Sequence, residues 1–371
     1  MSHVAWVEPC LFRTTITKRF SPSGVELVRF TNSGTEASTM AVAAALAFTN
    51  RKKILVFTSG YHGGTMSFPS PLNSINANLP HEFVLAPYND VEGTKRVLSS
   101  LPKDSLAAIV VEGVHGSGGC IVGNPFFLHF LNATARELGA VLIMDEVMTS
   151  RLAYHGLSAK LALKPDLITL GKWVGGGMTF GAFGGRKDIM SMFDPRTGVL
   201  GHSGTFNNNV ITMAAGCCGL DIYDEHEVER LNAMGEDLLQ RIQIVLVEAG
   251  VRAFKADSKA DPISSQRSEL ECPFSGILPA GFGSEKTAES LRRRQKNSMG
   301  VTGQGSMLHI HFYGPSTITL KALFWHHMLD CGIYIAQRGF MALNLELTNR
   351  NVDEFEEAVR AFLIRYGDAL R

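Results

Sequence analysis

Three segments of this 371-residue chain finish an apolar, strand-like run with side chains able to do chemistry. In Phe30-Thr31-Asn32-Ser33-Gly34-Thr35-Glu36-Ala37 the run gives way to a helix. The N–H groups of Gly34 and Thr35 and the hydroxyls of Ser33 and Thr35 then converge on one place. Such a helix start favours a doubly charged anion such as phosphate, although the same residues also suit an ordinary N-cap. The second segment, VLIMDEV, sets Asp145 at the end of a hydrophobic strand, where a carboxylate is costly unless a cation or metal faces it. A nucleotide hydrolase would show a similar strand-Asp-Glu, but it also needs G-x-x-x-x-G-K-[ST], and here Gly171-Lys172 is followed by Trp173. The third segment places Lys172 between the apolar run DLITLG and Trp173-Val174-Gly175-Gly176-Gly177, backbone that can turn tightly. That setting favours the neutral amine that Schiff-base chemistry requires.

Taken together, the three ask for a ligand with a phosphate, a ring nitrogen that gains from an anionic partner, and a carbonyl that an amine can attack. A protonated pyridine ring fits Asp145, because the ion pair keeps the ring an electron sink. Two weaker signals agree. Tyr61-His62-Gly63-Gly64 follows the strand KILVFT and offers an aromatic that can stack on a planar ring. Gly201-His202-Ser203-Gly204-Thr205-Phe206-Asn207-Asn208-Asn209 is a second small, hydroxyl-rich stretch ahead of a helix, suited to phosphate or to capping.

The elements that must position these residues read as βαβ grammar. From residue 26 to about 186, the runs ELVRFT, KILVFT, EFVLAP, LAAIVVE, VLIMDEV and DLITL alternate with helical stretches, among them Glu36 to Phe48 and Phe126 to Leu138. Strands apolar on both faces, such as Val141 to Met144, predict a mostly parallel sheet covered by helices, with ligands at the carboxyl ends of its strands. Helices are expected from Asn208 to about Asp224, from Glu227 to Glu248 and from Val352 to Tyr366, with short strands between the last two. The predicted organisation is a short N-terminal segment (1–25), a large α/β domain (26–225) and a smaller α+β domain (226–371). Within the last, the polar, Pro/Ser-rich stretch 255–298 reads as a flexible insertion. His326-His327, in an apolar helical stretch, reads as packing or surface.

Lys+Arg and Asp+Glu both number 35 and hydrophobic residues make up 45%, a balance that argues against nucleic acid or an anionic membrane as partner. No apolar run approaches the length of a membrane span and the first residues lack a secretory pattern, so a cytoplasmic location is expected. The six cysteines have neither C-x-x-C spacing nor a nearby His pair, so neither a zinc site nor a disulfide scaffold is expected.

These motifs, in this order, resemble the class-III aminotransferases: FTNSGTEA, YHG, the strand-end DEV, LGKWVGGG and HSGTFNNN. The resemblance covers roughly 26–254 and 300–365 and implies the fold type I of pyridoxal-phosphate (PLP) transferases. By it, Ser33, Gly34 and Thr35 bind the cofactor phosphate, Tyr61 stacks on the ring and Val147 packs its opposite face. Asp145 pairs with the pyridine nitrogen, Lys172 forms the Schiff base and acts as the proton-moving base, and His62 and Glu112 complete the cofactor-binding set. Thr205 would reach the phosphate of a neighbouring subunit, which implies a homodimer with its site at the interface. Two branches lie near, the glutamate-1-semialdehyde aminomutases and the β-amino-acid aminotransferases. DEVMTSRLAYHGLSAKL, FGAFGGR and FDPRTG resemble the second, as does Arg338 in QRGF, which matches an arginine that receives a substrate carboxylate. The expected activity moves an amino group from a β-phenylalanine-like donor to a 2-oxo acid. The alternatives are an aminomutase and a non-catalytic relative. About thirty residues precede the phosphate loop where the family has several dozen, a second carboxylate-binding arginine has no counterpart, and the family's Glu-Pro is here Glu112-Gly113.

Overall fold

In the computed structural model the residues described are 4–69, 76–196, 199–251 and 297–370. The expected insertion falls almost wholly in 252–296, outside the described residues. The chain divides into two compact units, one of residues 1–118 and 122–230, the other of 119–121 and 231–371.

The first unit is built on a seven-stranded sheet. Its order across is Leu27–Thr31, Gly181–Gly185, Leu167–Gly171, Val141–Asp145, Leu106–Glu112, Lys53–Phe57 and Glu82–Ala86. All adjacent pairs are parallel except those made by Gly181–Gly185, which runs antiparallel to both neighbours. Every residue of Leu106–Glu112, Val141–Asp145 and Leu167–Gly171 is buried, as strands covered on both faces must be. One side is packed by Ala37, Ala41, Ala44 and Ala45 of the helix Gly34–Thr49, whose small side chains let it lie close to the strands. The other side is packed by Phe127, Leu128, Leu131 and Ala135 of Pro125–Leu138. Helices begin and end near where capping chemistry places them: Asn124 caps Pro125–Leu138, Gly139 closes it in the left-handed region, and Asn209 caps Val210–Ile222.

Two elements depart from the sequence reading. The first twenty-five residues are more than a short segment, since Val4–Phe20 is a helix that buries Phe12, Ile16 and Phe20 at a spacing of four. Phe12 stacks on Phe30, with ring centroids 5.5 Å apart, and lies against the Cα of Gly216. The strand Gly181–Gly185 carries almost no side-chain pattern because its neighbours leave no room for one. A Cβ on Gly184 would sit 2.5 Å from the carbonyl oxygen of Leu27, and one on Gly181 would overlap that of Ser33.

The second unit holds a three-stranded antiparallel sheet, Ser298–Gln304, Met307–Tyr313 and Phe340–Ala342, with the helices Thr317–Asp330 and Asn349–Tyr366. Its core centres on Phe312, Phe324 and Phe362, whose ring centroids lie 5.0 to 6.0 Å apart. His327 Nε2 donates to the Ala358 carbonyl at 2.8 Å, a packing role. No helix among the described residues is long and apolar enough to cross a membrane.

Candidate active site

Parallel strands in register carry their last residues to one edge, and that edge is where the chemistry collects. Glu112 pairs with Asp145 across adjacent strands, and Asp145 with Thr169 across the next. Lys172 follows directly on Gly171, the last residue of its strand. The loop after Lys53–Phe57 delivers Tyr61 and His62 to the same edge. A cavity of about 350 Å³ opens there, and its lining includes Ser33, Gly34, Thr35, Tyr61, His62, Glu112, Asp145, Val147 and Lys172. That volume suits a small cofactor.

One wall of it is the start of the helix Gly34–Thr49. Ser33 is the N-cap, its Oγ accepting from Glu36 N–H at 3.2 Å, so the ordinary capping role foreseen for it is filled. The first N–H groups of that helix still lack intrahelical acceptors and head the cavity wall. Thr35 Oγ1 accepts from Gly64 N–H at 3.3 Å, and Gly63, at φ +116°, lies against the Cα of Thr35. Asn32 ties this turn to the HSGTFNNN segment: its Nδ2 donates to Asn207 Oδ1 at 2.9 Å, and Arg29 Nε donates to His202 Nδ1 at 3.0 Å.

Asp145 is 5% exposed and heavily anchored. Its Oδ1 accepts from Val147 N–H (3.0 Å) and the Thr169 hydroxyl (3.2 Å), and its Oδ2 lies 2.8 Å from His62 Nδ1. The cation sought for this carboxylate therefore includes a histidine 83 residues away in the chain. Burial works against a charged His62, but the hydrogen bond and charge of Asp145, with the charge of Glu112, outweigh it and raise its pKa. Burial pushes the Glu112 carboxyl up to about 7, against the pull of His62 and of the N–H groups of Tyr61 and Gly116, which its Oε1 and Oε2 accept at 3.0 and 3.2 Å. His115, stacked on Tyr88 at 3.5 Å, is driven down to about 3 by burial and by the charge of His62.

Lys172 has φ +51°, a left-handed conformation that costs a non-glycine residue about 1–2 kcal/mol. Strain of this kind concentrates where a side chain must be aimed. Its side chain is exposed, so the apolar surroundings read from the sequence do not cover it. Val147 presses on two glycines: a Cβ on Gly34 would come within 2.8 Å of Val147 Cγ1, and one on Gly171 within 3.2 Å.

Two residues named from the sequence are not among those that line this cavity. Thr205 is exposed and does not line its own chain's cavity. Arg338 belongs to the second unit, where it is exposed, lies 5.3 Å from the Phe340 ring centroid and makes no ion pair among the described residues. Sequence reasoning did not find Ser38, Met148, Phe180 or Asn207. Ser38 lines the cavity with a buried hydroxyl that has no partner.

The residues present fit PLP. An amide-headed cradle is kept open by Gly34, an anchored carboxylate and a flat-sided valine line the wall, and His62 Nε2 and Ser38 Oγ are buried polar atoms without partners among the described residues. The class-III aminotransferase family pattern matches residues 1–251. The β-phenylalanine transaminase of Variovorax paradoxus is 40% identical over 360 residues, covering 93% of this chain and 71% of that protein. The glutamate-1-semialdehyde 2,1-aminomutase of Clostridium kluyveri is 32% identical over 355 residues, covering 91% and 75%. The crystal structure of a β-phenylalanine aminotransferase from Variovorax paradoxus superposes with a TM-score of 0.80 at 36% identity, covering 99% of this chain and 80% of that one. The chain belongs to the class-III aminotransferases, with their fold type I architecture, and is a PLP-dependent enzyme of that class.

Proposed function

We propose that this enzyme moves the amino group of a β-amino acid with an apolar substituent, of the β-phenylalanine kind, to a 2-oxo acid. The observation that carries the reading is the convergence, in one cavity, of the Gly34 helix start, the anchored Asp145 and the strained Lys172. The choice of donor rests on the 40% identity to a β-phenylalanine transaminase.

Bound in this cavity, PLP would supply an aldehyde that condenses with amines and a ring that accepts the electron pair left when a C–H proton departs. The chain's own residues do the rest. Ser33, Gly34 and Thr35 hold the phosphate with backbone and hydroxyl donors, while Tyr61 and Val147 fix the ring plane from its two faces. Asp145 holds a proton on the ring nitrogen, and its three hydrogen-bond donors keep it oriented. Lys172 would hold the cofactor through its Nζ, and that amine, when free, would take up and return the proton at the substrate carbon. Arg338 takes a substrate or acceptor carboxylate in its guanidinium fork. The first unit acts as the cofactor-binding domain and the second as the smaller C-terminal domain.

A homodimer with Thr205 reaching the partner's phosphate belongs to the same proposal. Its support is the apolar surface that the first unit exposes: Phe206 and Ile211 are both about two-thirds exposed, and Met178, which lines the cavity, is nearly half exposed. The test is incubation of the PLP-loaded protein with β-phenylalanine and 2-oxoglutarate. Glutamate should appear only when both are present. Isomerisation of glutamate 1-semialdehyde, with no glutamate formed from β-phenylalanine, would replace this reading with the aminomutase.

A further inference from the structure

Beside Asp145, at the same cavity edge, lie titratable groups whose charge the amino-transfer chemistry does not use. Glu112 ends one strand, Asp145 the next, His62 follows a third, and His115 comes three residues after Glu112; none is more than 5% exposed. Among the described residues neither Asp145 nor Glu112 is ion-paired to a lysine or arginine. The imidazole of His62 is hydrogen-bonded to Asp145 through Nδ1, feels the charge of Glu112, and at Nε2 has no partner among the described residues.

We propose that one exchangeable proton resides on either Glu112 or His62 beside Asp145, and that Glu112 is thereby a positioning residue setting how much negative charge Asp145 presents to the cofactor ring. This deepens the function proposed above and rests on its assignment of Asp145 to the ring nitrogen. The proton has three accounts. On His62 it makes an imidazolium between two carboxylates, leaving a net charge of minus one that is partly screened at Asp145. On Glu112 it leaves the same net charge, now undiluted on Asp145. Lost altogether, it leaves two carboxylates facing a neutral imidazole, and Asp145 becomes a stronger acceptor. No atom is transferred to substrate and the balance is one proton exchanged with solvent.

The surrounding groups confine the exchange to this pair. His115 is held neutral by burial and by His62. Tyr88, whose hydroxyl donates to the Glu112 carbonyl at 2.8 Å, is held protonated by burial and by the Glu112 charge. Lys172 lines the same cavity but is exposed, and Glu146 on the neighbouring loop is occupied by the N–H groups of Leu157 and Ser158. The Glu112 carboxyl, raised to about 7 by burial, gives up its proton around neutrality.

The test is a pH titration of the bound cofactor's visible absorbance in the PLP-loaded enzyme, together with infrared spectroscopy of the cofactor-free chain. In the wild type the absorbance should change through a step near neutrality, and a protonated-carboxyl band should disappear over the same range. In Glu112→Gln, which keeps an oxygen for the Tyr61 N–H, that step and that band should vanish. The remaining midpoint should move by roughly one to two pH units, the size of a unit charge removed from a poorly screened site. Glu112→Asp, which keeps a titratable group, should restore a displaced step. Superposition of the Glu112→Gln curves on the wild type would overturn the proposal. So would an undisplaced step in Glu112→Asp, which decides the matter if Glu112→Gln does not fold. A wild type that takes up no PLP defeats the functional reading, while the infrared band still decides where the proton resides.

Discussion

Replacing Gly34 by alanine adds one methyl group at the point where the helix start, Val147 and the cavity meet. The new Cβ would stand 2.8 Å from Val147 Cγ1 and 2.9 Å from Cγ2, closer than carbon atoms tolerate, so something must move. A β-branched valine has one strongly preferred rotamer and cannot simply swing aside, and its backbone N–H is fixed by Asp145 Oδ1 at 3.0 Å. Two opposing effects then meet. Alanine gains up to ~1 kcal/mol over glycine in a helix, though less at this first position, while forcing a methyl into packed space costs about 1–3 kcal/mol. The net change in the cofactor-free chain should be a loss of about 0–2 kcal/mol, read as a small fall in melting temperature. Cofactor binding should suffer more, because a displaced Val147 intrudes on the ring space and a shifted Gly34 N–H leaves the phosphate. A loss of ~1.4 kcal/mol or more corresponds to at least about tenfold weaker PLP affinity. In Gly34→Ala/Val147→Ala the overlap is gone, so the double-variant cycle should show a favourable coupling of about 1 kcal/mol or more. Wild-type PLP affinity in Gly34→Ala, with additive effects in the cycle, would refute the idea that Val147 and Gly34 shape the cofactor site together.

Lys172→Ala should abolish both turnover and the PLP-derived visible absorbance. Because Lys172 sits at φ +51°, Lys172→Gly should be more stable than Lys172→Ala by about 1 kcal/mol in chemical denaturation; equal stabilities would count against backbone strain there. Asp145→Ala deprives three donors of their acceptor, so it should destabilise the cofactor-free chain by about 2–4 kcal/mol as well as abolish activity; a silent effect on melting would contradict the anchoring described. Glu112 has a folded-state pKa raised from 4.5 to about 7, so the folded state holds a proton that the unfolded chain has lost in that interval. Its contribution to stability is full below about 4.5 and is lost as pH rises through about 7; the difference in unfolding free energy between wild type and Glu112→Gln should fall across that window, and a flat difference would exclude the raised pKa.

How much of this was legible in the sequence depended on whether a side chain recorded the constraint. Runs such as VLIMD and LAAIVVE announced buried parallel strands because both faces are apolar, and the residues following them were the right place to seek chemistry. Asp145 could be singled out because a carboxylate ending such a run demands a partner. That His62 supplies part of it could not be read, since 83 residues separate them and only the sheet order brings their loops together. The strand Gly181–Gly185 was illegible for the opposite reason, as its constraint is the absence of side chains. Val4–Phe20 did leave a trace in Phe12, Ile16 and Phe20, whose four-residue spacing is close to a helical period.

The same glycine strand explains why the site can be assembled so close to the sheet. Gly181 lies against the Ser33 carbonyl, and Gly171 and Gly34 lie against Val147, so three backbones meet at separations that a single Cβ would open. The phosphate turn, the valine wall and the lysine turn therefore share one tightly packed floor, and a displacement at any of them is transmitted to the others. Ser33 shows the consequence. Its hydroxyl is committed to Glu36 N–H, and Thr31 Oγ1 donates to its carbonyl at 3.0 Å, so its backbone cannot drift while the cap is made. Asn32, next in line, donates to both Glu36 and Asn207, which extends the fixed region to the segment carrying Thr205. These bonds predict that PLP binding depends on the Asn32–Asn207 contact. Asn207→Ala should weaken PLP binding by several-fold although Asn207 does not line the cavity, because the energy lost is that of holding the phosphate turn in place. Unchanged affinity in that variant would separate the two segments and leave Asn32 a local cap only.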